Sequence, residues 1–171
     1  NQLKFVSFKD EETKSNDNDN AIAFEEEAIE IDLMFSVEAM IAKNDQGTAV
    51  KILKDMLKTD PKNADLHYRI AVIAKRHWKN FDQARDELLL AIECDPNHAL
   101  SLFALADLYK NQFGDHENAK KYFKLVTVTK PTWGVGWKEY GDLLGWRMGE
   151  WKEAVVAYEE SVKFKHRYLW N

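Results

Sequence analysis

Three prolines, Pro61, Pro96 and Pro131, divide the chain at intervals of 35 residues. Proline cannot continue a helix and pushes its predecessor out of the helical region, so each one marks a helix end. The preceding residues are Asp60, Asp95 and Lys130. A constant period of this length fits few architectures. It calls for a supersecondary unit that cannot bury its apolar face alone and stacks on copies of itself. Seven glycines and three prolines in 171 residues are too little turn material for a β-sandwich, which needs turn residues about every 8–12 positions. The chain reads as helical.

Between the prolines one apolar pattern returns. Ala49 and Leu53, Ala84 and Leu88, Ala119 and Phe123, and Ala154 and Tyr158 are each four residues apart, with Met56, Ala91, Val126 and Ser161 three further on. Such spacings align side chains on one face of a helix. Upstream, the stripes His67–Ile70–Ala71–Ala74, Leu102–Leu105–Ala106–Tyr109 and Trp137–Tyr140–Gly141–Leu144 mark an earlier helix. In each stripe a small residue stands where two helices must approach closely.

These residues resemble the tetratricopeptide repeat, whose pattern runs W-x2-L-G-x2-Y, then A-x3-F, then P. The third unit supplies Leu102, Leu105, Ala106, Tyr109, Ala119, Phe123 and Pro131. The fourth supplies Trp137, Tyr140, Gly141, Leu144, Ala154 and Tyr158, with His166 at the proline position. The similarity is good over residues 62–165 and weaker over 30–61, where Leu33, Ser36, Val37 and Met40 fill the first helix. The resemblance implies an all-α, right-handed superhelical solenoid of four units, at about 30–61, 62–96, 97–131 and 132–166, in a domain spanning 21–171. The family period is about 34. Here the intervals from Ala74 to Ala84, Tyr109 to Ala119 and Leu144 to Ala154 each hold one residue more. The extra residue is expected in the turn joining the paired helices, with Trp78, Phe81, Phe113 and Trp151 plugging that end of the pair.

In the family, the first helices of the units line a concave groove that holds a partner segment. The corresponding positions are Tyr68, Val72 and Lys75, then Phe103, Asp107 and Lys110, then Lys138, Asp142 and Gly145. Aromatic anchors flanked by charges suit recognition of a peptide. The Lys/Asn clamp with which some members grip a chaperone's C-terminal carboxylate is absent, because Tyr68, Val72, Phe103 and Asp107 occupy its places.

The ends read differently. Residues 1–20 are expected to be a flexible tail, polar over 10–20 and apolar at Leu3, Phe5, Val6 and Phe8. A helical pattern then runs from Ala21 to Ala42, with Asp19 or Asn20 as N-cap. At the other end Trp133, Trp137, Trp146, Trp151 and Trp170 crowd the last unit. Solenoids need a capped end. Trp146, Tyr168 and Trp170 are therefore candidates for an edge covered by a partner, a second copy or further sequence, against a tail that folds back on itself.

No catalytic pattern is visible. His67, His77, His98, His116 and His166 are scattered, and no phosphate loop or nucleophile elbow occurs. The chain is expected to have no catalytic residue, no metal and no cofactor. A net charge of −5 opposes nucleic-acid binding, and no apolar run is long enough for a membrane span. The single cysteine, Cys94, cannot form an internal disulfide, which leaves the compartment open, with the cytoplasm the favoured expectation. The expected function is a protein-binding scaffold or adaptor, with self-association through the C-terminal end as a further possibility. The alternatives are an RNA-associated helical repeat, since pentatricopeptide repeats have a period of 35, and a chaperone-like carrier of one client.

Overall fold

The computed structural model describes residues 31–165. The expected tail and N-cap, and the candidates Tyr168 and Trp170, lie outside the described residues. Every regular element among the described residues is helical: α1 over 31–42, α2 Gln46–Thr59, α3 Ala64–Ile73, α4 Phe81–Cys94, α5 Ala99–Leu108, α6 His116–Thr129, α7 Gly134–Asp142 and α8 Trp151–Lys165. The chain divides into two compact units, 1–52 and 53–171.

In the first unit Val37, Ala49 and Val50 are buried. Asn44 takes a left-handed φ of 60°, and the Asp45 carboxylate accepts the Thr48 backbone N–H at 3.1 Å. The second unit holds three helix pairs, α3/α4, α5/α6 and α7/α8, with α4 packed on α5 and α6 on α7. Two apolar clusters show how neighbouring pairs share a core. Leu88, Leu105 and Leu108 close on Ala71, Ala74 and Ala84, and Phe123 and Leu143 close on Ala106 and Ala119. The small residues read in the sequence mark these approaches. At Gly141 a Cβ would come within 2.9 Å of the Tyr158 ring, so the bulkier aromatic of α8 requires glycine opposite it.

The extra residue of each period lies elsewhere than expected. α3, α5 and α7 each continue into one π-helical turn, over Ala74–Trp78, Tyr109–Phe113 and Leu143–Arg147. A π-turn absorbs one residue inside a helix and keeps its backbone groups paired within the chain. The chain then turns through left-handed residues at Lys79 (φ 55°), Gly114 (φ 65°) and Gly149 (φ 72°). The N–H groups of Asn80, Asp115 and Glu150 close back on the carbonyls of Ala74, Tyr109 and Leu144 at 3.0, 3.0 and 2.8 Å. Asn80 and Asp115 also cap the next helix through Gln83 N–H and Asn118 N–H, at 3.1 and 3.0 Å. Left-handed residue and cap therefore recur at the 35-residue period. The turn-end aromatics are only partly plugs: Phe81 packs on the core, while Trp78 is 41% exposed and Phe113 37%.

Candidate partner-binding site

Helical spacing sets Tyr68, Val72 and Lys75 on one face of α3 and its π-turn, and the same register repeats on α5 and α7. The structure engages most of these side chains in the seams between units. Tyr68 meets His98 edge-on at 5.8 Å, and Phe103 meets Trp133 at 4.9 Å and Phe123 at 5.6 Å. His98 and Trp133 precede α5 and α7 at the N-cap position, where Asn63 caps α3 with its side chain but these two make no side-chain cap bond. They serve as stacking partners for the preceding unit. Val72 is half-buried.

The charged positions form cross-unit ties. Lys75 pairs with Asp107 at 2.5 Å, and Lys110 with Glu139 at 2.6 Å. Lys110 is almost buried, and its ammonium lies 5.3 Å from the centre of the Phe123 ring. Lys138 turns to its own helix, pairing with Asp142 at 2.6 Å. The Tyr158 hydroxyl donates to Asp142 at 2.8 Å. Burial pushes the Asp142 carboxyl up, but the hydrogen bonds from Lys138 and Tyr158 outweigh it and hold it below the usual carboxylate range. The same contact raises Lys138, while Tyr158 is raised by burial first and by the Asp142 bond second. Lys138 and Asp142 stay charged together near neutral pH.

The tie ends at the last described pair, where Gly145 stands in the register of Lys75 and Lys110. A Cβ there would lie 2.8 Å from the Trp151 ring, so glycine seats Trp151 against the backbone. Trp151 in turn meets Trp146 edge-on, at 5.1 Å and 86°. Trp146 remains 73% exposed. Beside it opens a cavity of about 260 Å³ lined by Lys110, Asn111, Asp142, Trp146 and Arg147. The two candidate regions read in the sequence, the groove and the tryptophan-rich edge, thus share one cavity at Lys110, Asp142 and Trp146.

Sequence reasoning missed Asn111 and Arg147 on the cavity wall. The available signal was register, since Asn111 and Trp146 are 35 residues apart and Arg147 follows. It also missed Leu100 and Val135, both exposed and one period apart, on the first turns of α5 and α7. No cluster of three or more metal-ligating side chains occurs among the described residues. No described helix is long and apolar enough to cross a membrane.

Two family models, each described as a tetratricopeptide repeat, match residues 40–108 and 99–128. No curated protein matches the chain. Among solved structures, a crystal structure of MamA is 18% identical, with a TM-score of 0.69, over 97% of this chain and 99% of that one. A MamA RS-1 double mutant is 16% identical, with a TM-score of 0.68, over 81% and 76%. A further crystal structure of MamA protein is 19% identical, with a TM-score of 0.66, over 92% and 88%. Identities this low speak for the fold, a helical repeat solenoid.

Proposed function

Because the chain belongs to the tetratricopeptide repeat family, we propose that it is a non-catalytic adaptor holding a segment of a partner protein along α5 and α7. As a family, such repeats are protein-interaction scaffolds. The single observation that carries the placement is Trp146, exposed yet fixed by Trp151, at the mouth of a cavity walled by charged side chains. Exposed tryptophans in a defined geometry are hot-spot material. The ties through Lys75 and Lys110 join neighbouring pairs, so a partner meets a surface ordered in advance and loses less conformational freedom on binding.

Leu100 and Val135 extend this face with apolar surface at the opposite ends of the same helices. The partner segment would then present apolar groups at both ends and polar groups over the Lys138–Asp142 pair. An affinity capture with quantitative mass spectrometry tests this, using the chain beside Trp146→Ala and Val135→Ser variants. Partners should fall at least tenfold with Trp146→Ala and less with Val135→Ser. Retention of every partner by both variants would move the site off this face, and capture of RNA in place of protein would favour the nucleic-acid reading.

Self-association is a second reading, favoured by α8. At the register of Arg85 and Lys120, which reach Phe113 and Glu150 of the following unit, α8 carries the exposed Val155, with Val162 exposed two turns on. Light scattering over a dilution series tests it. A mass that falls to the monomer only on dilution, and is monomeric throughout for Val155→Lys, would support it.

A further inference from the structure

The cavity wall carries a charge pattern that restricts what the partner can place in it. Each carboxylate near it is already matched. Asp142 accepts from Lys138 and Tyr158, Glu139 from Lys110 and Lys138, and Asp107 from Lys75 and Asn111. Arg147 is exposed and has no ion-pair partner among the described residues. It brings five N–H donors in a planar fork that matches a carboxylate. A basic residue of the partner would face Lys110 and Arg147 and find only carboxylates already satisfied. A neutral polar residue could accept a hydrogen bond from Arg147 but would bring no opposite charge to it.

Trp146 supplies the other half of the pattern. Gly145 gives up a side chain so that Trp151 can lie on the backbone, and Trp151 holds Trp146 upright. An indole left 73% exposed gains little from burial in the folded chain, while holding it in place costs side-chain freedom. That arrangement makes sense where an apolar group from outside completes the contact.

Building on the adaptor reading above, we propose that this cavity recognises an acidic side chain on the partner segment, its carboxylate received by Arg147 while a neighbouring apolar side chain lies on Trp146. The occupant is a protein segment carrying an apolar–acidic pair.

The probes are two capped dipeptides, N-acetyl-Leu-Glu-amide and N-acetyl-Leu-Gln-amide, titrated into the 15N-labelled full chain. The Trp146 indole and Arg147 Nε–H resonances report binding, the former assigned by its loss in Trp146→Phe. The Glu probe should bind about threefold more tightly than the Gln probe, the effect of one solvent-accessible ion pair, and the preference should shrink in high salt. Arg147→Gln should bring the probes level, while Trp146→Ala should weaken both. Circular dichroism confirms that each variant keeps its helix content. Equal binding of the two probes, or a Glu preference that survives Arg147→Gln, would overturn the proposal. Inorganic phosphate moving the Arg147 signal as strongly as the Glu probe would also overturn it, in favour of a free-anion site. If the probes bind equally while partner capture still depends on Trp146, the adaptor reading stands and only the acidic specificity fails; loss of both ends both.

Discussion

Phe103 is the position where groove and seam make opposite demands. A groove anchor can be truncated at little cost to folding, whereas a seam plug cannot. Phe103 is half-buried between Phe123, which is fully buried, and Trp133. Full burial of such a side chain stabilises by roughly 1.5–3 kcal/mol, and each aromatic contact adds about 0.5–1.5 kcal/mol. With the burial part halved, Phe103→Ala should destabilise the fold by about 2–4 kcal/mol. Its counterpart Tyr68, also half-buried, has one ring contact, with His98, and Tyr68→Ala should cost about two-thirds as much. Urea unfolding at 25 °C followed by far-UV circular dichroism reads both, provided the slope with denaturant matches the unsubstituted chain. A loss below about 0.5 kcal/mol for Phe103→Ala, together with loss of partner binding, would refute the seam assignment and return Phe103 to the groove.

The turns offer a cleaner backbone test. Gly114→Ala puts a Cβ into open space at a φ of 65°, so it should cost about 1 kcal/mol through backbone strain alone; Lys79→Gly, at the matching left-handed site, should leave stability unchanged or raise it by up to about 1 kcal/mol, and thermal melts of both variants check the contrast. Asp115→Ala removes the α6 cap and should cost about 0.5–2 kcal/mol by the same measurement. For Asp142, the hydrogen bonds from Lys138 and Tyr158 hold the folded pKa below the ordinary aspartate value, so the carboxylate's contribution is fully present above that ordinary value and lost as pH falls through the folded pKa. Stability should be indifferent to Asp142 titration at neutral pH and drop below about pH 4, and Asp142→Asn should flatten that part of an acid titration followed by circular dichroism.

The architecture was legible because prolines and an apolar stripe recur at one period. Ala84, Leu88 and Ala91, like Ala49, Leu53 and Met56 and Ala119, Phe123 and Val126, are buried where helical spacing placed them, while of their counterparts in the last pair only Ala154 is buried and Tyr158 and Ser161 are half-buried. The π-turns were not legible, since nothing in Ala74–Trp78 or Leu143–Arg147 distinguishes an i+5 turn from an extra loop residue. Counting the period from Asn44 and Asp45 through Lys79 and Asn80 to Gly114 and Asp115 would have shown where the chain reverses. The site was half legible. Lys110, Asp142 and Trp146 were named, but helical spacing reports which face a residue shares and not whom it meets. The partners Glu139, Trp133 and His98 belong to other units or other helix ends, and only packing brings them to Lys110, Phe103 and Tyr68.

Site-specific photocrosslinking bears most directly on the claim that a partner segment lies along α5 and α7. A photoreactive residue at Asn111, on the cavity wall, is compared in parent-cell extract with one at Lys124, exposed on α6. The adaptor account predicts a discrete protein crosslink from position 111, abolished by Trp146→Ala, and none of comparable yield from position 124. Crosslinks of equal yield from both positions, or from 124 alone, would contradict it.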